Sequence, residues 1–575
     1  MKSQSGILLL VVLFSGCAPQ GTGGSGRVAA RFPSREELRK IERAPSPPRV
    51  LHNTAVEVDS WDLTGPLPEA VELAPHHDDT PWNQLLAEAA EKRQGLVYLS
   101  ESMHCAAREV GLFYLDRNAL PSESLRHFIL SRCGAASEGA GTAWISGEIP
   151  EGADEKQIYA KWEAQLRDLI GKQFVPGPQE AGVWFGRKGK RAVAMVTEGR
   201  REVQVERIPL VPDEAGNVVL RGELLIPAAS VRALVNRGRF GYRACEVDSQ
   251  VSLPRFTIRC QTSKEDAFAW IEMAAFPAGR IMGSSVLTVL ASPAGAPGKR
   301  FAQSNYGVAK SAPGPLGSVL LEMINQVRKQ AEMAPLALAV DQTETATRVA
   351  PHYFAATLGS ESELMADRVV LGLRAGWDVD GLVHNGWFTA AAIAGSTDPA
   401  VLLTRTLERP SGREALLEPS ARQLALGPVI DEQDKVLAAV LTTYSLFEAT
   451  SYVKEEKALF GRLTALRFDH HLPPPIPASN VAPILSRAAK RIEQGESTPR
   501  TALKTILDQT VETLHVPARG FTLETSSLDA IEFPKELLTL PAVTLGISIT
   551  HYRSPDDAWG RYVIFFLVTD ELTPG

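Results

Sequence analysis

Histidines and carboxylates that stand close together in the chain are the first candidates for chemistry. His76-His77-Asp78-Asp79 and Asp469-His470-His471 have the composition of a metal site, because imidazole and carboxylate are common ligands of divalent metals. Both lie where the composition predicts solvated chain, the first in a stretch bearing proline and the second before a proline run. Solvated side chains are the simpler interpretation, and a metal site is the alternative.

Two further histidines stand apart from such clusters. His352 lies on the apolar side of a predicted helix, beside Tyr353, where a packed and hydrogen-bonded imidazole is commoner than a catalytic one. His384 would act in a hydrolase only if folding brought it to Glu408 or Glu361. The sequence contains no nucleophile elbow, Walker motif or zincin motif, and we expect no cofactor and no bound metal.

The N-terminus predicts export and a lipid anchor. Lys2, an apolar run at 7–14 and Ser15-Gly16-Cys17 are typical of a secretory signal, and the small pair before the cysteine resembles a lipobox. Residues 1–16 would be the signal peptide and Cys17 the acylated first residue; the alternative is ordinary secretion with an incidental cysteine. Ala18 favours the outer membrane by resemblance to Gram-negative lipoproteins, on either its periplasmic or its cell-surface face.

Four cysteines remain after Cys17, an even number for a protein in an oxidising compartment. Cys105 and Cys133 share one predicted region, and Cys245 and Cys260 share the next. Pairing within each region is the simplest disulfide framework, although four cysteines permit three connectivities. A zinc site is the alternative, but no Cys-x-x-Cys pair is present.

The chain of 575 residues is long enough for several domains. Residues 96–114 align with 336–354 at a constant offset of 240, and strands that contain Gly182, Gly427 and Gly546 follow in three regions. We therefore predict three related units. The predicted order is a flexible tether (17–81), a first module (82–201), an immunoglobulin-like β-sandwich (202–292), a linker (293–317), a second module (318–450) and a third module (451–575).

The predicted fold class is α/β, with tandem α-β-α sandwich modules and an inserted antiparallel β-sandwich. Apolar residues recur at helical spacing in 316–327, 346–354 and 503–514, and short β-type runs follow each of these segments. A formal net charge of −7 and the lack of a long basic run predict no binding to nucleic acid.

The second module resembles the bacterial CAP/SCP-like (cysteine-rich secretory, antigen 5, pathogenesis-related) family. Its opening residues Ile324-Asn325-x-x-Arg328 precede Pro335-Leu336, and Ala375-Gly376-Trp377 follows later, as in that family. Residues 409–419 then resemble the family signature, in which Ser-Pro-x-His-Arg precedes Leu-Leu-x-Pro. Pro410, Arg413, Leu416, Leu417 and Pro419 keep their places in that signature.

The resemblance implies a cleft with two histidines and two glutamates that hold a divalent metal in some members. Here the signature histidine falls on Gly412, and residues 357–363, where the other histidine is expected, contain none. Glycine has no side chain with which to bind a metal. The residues left as candidate cleft groups are His352, His384 and Arg413.

Two functions follow as hypotheses. The first is a lipid-anchored outer-membrane protein whose modules bind an envelope protein, a polysaccharide or a lipid without catalysis, and whose membrane contact is its N-terminal lipid. The second is a divergent metal-dependent or His/Glu hydrolase of envelope material. The missing histidines favour the first.

Overall fold

A computed structural model gives the fold of most of the chain. It describes residues 13–14, 32–47, 55–93, 95–137, 139–150, 152–174, 176–278, 280, 283–295, 297–308, 314–357, 361–433, 435–447, 452–529, 531–554 and 557–569. The predicted signal peptide and Cys17 therefore lie outside the described residues, except for Leu13–Phe14. The fold is mixed α/β with several small sheets, and it divides into two compact units: residues up to 378 with 387–443, and residues 379–386 with 444 onwards.

The first module places a four-stranded sheet among helices. Its helices are Pro81–Glu91, Glu101–Arg117, Glu123–Arg132 and Glu155–Gln173. Its sheet strands are Val97–Leu99, Ala140–Glu148, Gln179–Lys188 and Arg191–Arg200, and the short strand Leu120–Pro121 pairs with Ala55–Val56.

The second module repeats this arrangement. Its helices are Leu316–Gln330, Val340–Thr357, Glu363–Ala375, Pro399–Glu408 and Pro410–Leu416. Its strands are Ala337–Leu338, Val383–Ala394, Gln423–Asp431 and Val436–Leu446.

The third module has the same elements, with a single 3-10 turn in place of the helix before its third strand. Its helices are Val453–Asp469, Ala482–Glu493 and Pro499–Leu514, with 3-10 turns at Ser479–Val481 and Lys535–Leu538. Its strands are Ile476–Pro477, Ala518–Thr525, Thr544–Tyr552 and Arg561–Thr569.

All three sheets share one strand order, in which the first strand borders the third, the third borders the fourth and the fourth borders the second. In the first and third modules the short first strand runs parallel to the third strand, and the remaining pairs are antiparallel. The first strands begin at Val97 and Ala337, which are 240 residues apart, so the offset found in the sequence corresponds to equivalent elements. The internal repeat is therefore a repeat of topology.

A glycine in the third strand of each module lets a helix lie close to the sheet. A Cβ on Gly182 would stand 2.2 Å from the backbone nitrogen of His104, and one on Gly427 would stand 2.2 Å from the carbonyl oxygen of Ala346. At Gly546 the nearest atom would be Cγ2 of Val481, at 2.5 Å. Gly182 and Gly427 thus permit a close approach of helix backbone to the strand, and Gly546 makes room for the side chains of Val481 and Leu485.

Two antiparallel sheets form the domain between the first and second modules. One contains Ser230–Arg237, Gly241–Ala244, Ala269–Phe276 and Gly283–Ala291, which also pairs with Leu13–Phe14; the other contains Val203–Val205, Asn217–Leu224, Glu246–Val247 and Arg255–Gln261. Buried residues of both sheets share one core. Both predicted disulfides are present, Cys105–Cys133 and Cys245–Cys260.

The described part of the segment expected to be a flexible tether is ordered instead. It forms the helix Arg35–Glu42 and the strands Ala55–Val56, Ser60–Asp62 and Ala70–Val71. Leu38 lies in a core of the second module and Val71 in the core of the β-sandwich. A stretch with too few apolar residues to fold alone can still bury them against surfaces that other domains provide, and composition does not reveal this.

Candidate functional site

The signature segment 409–419 lies at a tight turn between two short helices. Pro399–Glu408 ends at Arg409, and Pro410–Leu416 begins directly after it with proline in its first turn. Gly412 is buried there, and a Cβ at this position would stand 1.8 Å from the carbonyl oxygen of Thr406. No side chain fits at 412 without a backbone shift, so the glycine is required by the turn as well as lacking an imidazole.

Arg413 is buried, and its guanidinium donates four hydrogen bonds. Its Nε donates to the carbonyl of Leu407 at 2.8 Å, and its Nη2 donates to the hydroxyl of Tyr306 at 3.2 Å. Its Nη1 donates to the carbonyls of Gly238 and Gly241 at 2.9 Å each. The two glycines flank a hairpin of the β-sandwich, so this candidate cleft residue holds two domains together.

The buried carboxylate of Glu272 also joins this segment to the β-sandwich. The backbone N–H and the hydroxyl of Ser411 donate to Oε2 of Glu272, at 3.0 and 2.9 Å. Arg409 Nη1 lies 3.5 Å from Oε1 of the same carboxylate, which is fully buried.

Three further polar contacts extend this interface. Arg232 forms a bidentate pair with Glu414, with Nη1 at 3.1 Å from Oε2. Tyr242 donates its hydroxyl to Glu418 Oε2 at 2.9 Å, and burial together with this carboxylate raises the pKa of Tyr242 far above its usual value. Asn236 Nδ2 donates to the carbonyl of Glu408 at 2.7 Å. We call the contacts of residues 408–418 with the β-sandwich the signature interface.

A buried acidic group adjoins the signature interface. Arg405 Nη2 lies 3.6 Å from Glu123 Oε1, and burial lowers the pKa of Arg405 and raises that of Glu408. Burial also raises the pKa of Glu57 to about 7, although Ser122 and Arg405 act in the opposite direction. Glu57 therefore titrates near neutral pH at a joint between the N-terminal segment and both modules.

His352 forms the imidazole–carboxylate pair of the second module. Its Nδ1 lies 3.0 Å from Oε1 of Glu361, and its side chain is 3% exposed. It is packed and hydrogen-bonded, in agreement with the simpler interpretation of its position. The pair has the composition of a base and its orienting group, but a ring so deeply buried gives a substrate no access.

His384 has other partners. Its Nε2 lies 2.9 Å from the carbonyl oxygen of Ser526 and its Nδ1 lies 3.4 Å from the hydroxyl of Ser445. Its ring packs edge-on against Phe447 and Tyr562. These partners all belong to the compact unit formed by residues 379–386 and 444 onwards, whereas Glu361 and Glu408 belong to the other unit. His352, His384 and Arg413 thus have three separate sets of contacts.

The His76 cluster is only partly solvated: His77 and Asp79 are exposed, whereas His76 and Asp78 are half-buried. The rings of His76 and His104 stack at 3.7 Å, and Nδ1 of His76 lies 3.1 Å from Glu101 Oε1 while Nε2 lies 3.6 Å from Asp78 Oδ2. The nitrogen lone pairs of an imidazole lie in the plane of its ring. In two stacked rings these planes are nearly parallel, so the lone pairs do not converge on one ion. Within the described ranges, no group of three or more histidine, cysteine or acidic residues has a metal-binding arrangement.

Arg328 and Arg467 have equivalent structural roles in their modules. The sequence pattern had not pointed to Arg467. Each is fully buried in the opening helix of its module, and Nε of each donates to a carbonyl six residues on, Ala334 at 2.7 Å and Pro473 at 2.8 Å. Nη1 of Arg328 donates to the carbonyl of Leu416, and Nη1 of Arg467 to that of Leu537. Arg328 precedes Pro335 and Arg467 precedes Pro473 at similar spacing. That shared pattern could have identified Arg467 from the sequence.

Comparison with known proteins gives little further guidance. No family model and no curated protein matches the chain. A cysteine-rich secretory protein from Staphylococcus aureus shows weak structural similarity, with 14% identity and a TM-score of 0.17 over 46% of this chain and 83% of that one. A β-1,2-glucanase from Parabacteroides distasonis gives 11% identity and a TM-score of 0.12 over 34% of this chain and 30% of that one. Similarities at these scores carry no argument about activity.

None of the described helices is long and apolar enough to cross a bilayer. The two disulfides suggest an extracytoplasmic protein.

Proposed function

We propose that this chain is a lipid-anchored protein of the cell envelope that binds a protein, glycan or lipid partner at the outer membrane and catalyses no reaction. Its three modules would be degenerate relatives of the CAP/SCP-like family. The anchor would be the acylated Cys17, and the rest of the chain would project from the membrane surface.

The observation that carries the proposal is the signature interface. The side chains of Ser411, Arg413 and Glu414 are engaged by the β-sandwich, and Gly412 leaves no space for an imidazole. A segment that would border a reactive cleft is used here as an internal joint. Polar groups committed to buried partners gain rigidity and lose the freedom to bind a metal or substrate.

The repeated architecture supports a binding role in a second way. Modules of equal topology in one chain can each contribute a weak contact, and linked contacts to a repetitive partner such as a polysaccharide give avidity. An enzyme needs one complete site, whereas a scaffold benefits from several incomplete ones.

The second candidate function is a divergent hydrolase of envelope material, and the His352–Glu361 pair is the observation that favours it. The near-complete burial of the imidazole opposes it. A hydrolase of this kind would have to open the second module before each turnover.

Release of soluble fragments from isolated envelope material tests the two functions against each other. The purified chain should release no more fragments than a buffer control, and the variant His352→Asn should behave identically. Release by the unaltered chain that His352→Asn abolishes, at equal folded stability, would reject the non-catalytic function.

A further inference from the structure

The first module carries a strongly basic hairpin tip. The strands Gln179–Lys188 and Arg191–Arg200 are joined by a two-residue turn, which places Arg187, Lys188, Lys190 and Arg191 together. Residues 187–190 are exposed, and a Cβ on Gly189 of the turn would meet nothing within 4 Å. We call residues 187–191 the cationic hairpin.

This arrangement is only partly compensated within the fold. Lys188 lies directly opposite Arg191 in the strand register, and like charges in opposed positions destabilise a sheet, whereas on its other side Arg191 lies opposite Glu148. The carboxylate of Asp116 lies 2.7 Å from Lys188 Nζ and also 3.1 Å from Arg117 Nε, so one acid serves two cations. Among the residues that the structure describes, no ion pair involves Arg187, Lys190 or Arg191.

The corresponding hairpins of the other modules do not share this charge. Because the three sheets have one strand order, the turns that follow their third strands are equivalent. In sequence, residues 431–435 of the second module contain three acidic residues and one lysine, and residues 553–561 of the third contain two arginines and two aspartates. Positive charge at this turn is therefore not required by the fold, and it stands out in a chain whose formal net charge is −7.

We propose that the cationic hairpin binds the phosphate groups of anionic phospholipids at a membrane surface. A convex tip of exposed cations without a surrounding pocket fits a planar array of phosphates better than a single buried ligand. Each lysine or arginine held at an anionic surface strengthens binding about fivefold. This attraction acts within roughly one Debye length, about 8–10 Å at physiological salt, so the hairpin must reach the headgroups.

The inference rests on the proposed function in one respect, since a lipid at Cys17 would keep the first module near a bilayer. Stable membrane attachment commonly combines a lipid chain with a basic patch. The hairpin would then fix the orientation of the first module against the membrane.

The test uses the full chain with Cys17→Ala, so that no acyl chain contributes to binding. Vesicles that contain phosphatidylglycerol are compared with vesicles of phosphatidylcholine alone by cosedimentation, at low and high salt. The double variant R187Q/K190Q should bind the anionic vesicles about thirtyfold more weakly, the product of two losses of about fivefold each. The matched control K454Q/K457Q removes two exposed cations from the helix Val453–Asp469 and should bind like the parent chain.

Three outcomes would overturn the inference. They are equal binding to both vesicle types, equal binding by R187Q/K190Q and its parent, and hairpin-dependent binding to soluble polyphosphate without binding to vesicles. Self-association of the chain that R187Q/K190Q abolishes would assign the hairpin to a second copy instead. Because the assay omits the acyl chain and any envelope partner, its result is independent of whether the proposed function itself holds.

Discussion

Ser411 donates twice to one oxygen of Glu272, from its backbone N–H at 3.0 Å and from its hydroxyl at 2.9 Å. The two residues are 139 positions apart and belong to different domains. A fully buried carboxylate that is held by a serine and faced by Arg409 is costly to disturb, because removal of either partner leaves charge without compensation. This relationship makes the signature segment a joint of the fold.

Removal of the Arg413 side chain should destabilise the first unit strongly. Arg413→Ala removes a donor from the buried carbonyl of Leu407 and the buried hydroxyl of Tyr306 and also breaks the contacts to Gly238 and Gly241, so we expect a loss of about 3 kcal/mol in the free energy of unfolding. Urea unfolding followed by fluorescence measures it. Arg422→Ala, which removes contacts only to Pro419 and Ala421, is the control and should cost much less. Equal losses in both variants would contradict the assignment.

Restoration of the family histidine should fail. Gly412→His forces a Cβ into the carbonyl of Thr406, and we expect destabilisation of more than about 3 kcal/mol and no gain of metal binding. The control is Gly461→Ala, because that glycine lies within the helix Val453–Asp469 and a Cβ there meets nothing within 4 Å. Gly461→Ala should stabilise by about 0.5–1 kcal/mol. A stable Gly412→His protein that binds zinc would show that the turn is more permissive than its geometry indicates.

Glu57 should make stability depend on pH. Its pKa is raised by burial from 4.5 to about 7, so the folded state holds a proton that the unfolded chain has lost between those values. The contribution is fully present below pH 4.5 and is lost as pH rises through about 7. Glu57→Gln, which cannot ionise, should therefore be more stable than the parent chain by roughly 3 kcal/mol at pH 8, with little difference at pH 4. The pH dependence of the unfolding midpoint checks this, and parallel curves for both proteins would refute it.

Cys17→Ala should abolish labelling by a fatty-acid probe and release the protein from isolated membranes. The prediction comes from the small residues before the cysteine, since Cys17 lies outside the described residues. Cys105→Ser is a control for cysteine loss without loss of the anchor, and it should leave labelling unchanged. Labelling that survives Cys17→Ala would mean that the protein is secreted without this lipid.

Local patterns predicted much of the architecture. The apolar stripe at 316–327 lies within the helix Leu316–Gln330, the alternating residues at 543–549 lie almost entirely in the strand Thr544–Tyr552, and both disulfides join cysteines of one region. Helical and strand periodicities indicate which face of an element is apolar. Two cysteines in one region of the sequence indicate a disulfide that closes a short stretch of chain. Such signals are carried by residues close together in sequence.

The candidate site could not be predicted in the same way. Arg413 and Gly238 are 175 residues apart. The spacing of apolar residues shows that a face is buried but not which domain covers it. His352 and Glu361 are nine residues apart, and that spacing does not by itself predict that their side chains pair. The ordered segment at 32–47 likewise depends on surfaces supplied by the second module.

Genetic complementation tests the central claim most directly, by comparing a joint variant with a histidine variant. In a strain that lacks the chain, the triple variant H352N/E361Q/H384A should restore the phenotype fully at normal protein levels, because no imidazole takes part in function. E272A/R413A should fail to restore it and should be depleted, because the second module would separate from the β-sandwich. Loss of complementation by the stable triple variant would contradict this account and favour the hydrolase instead.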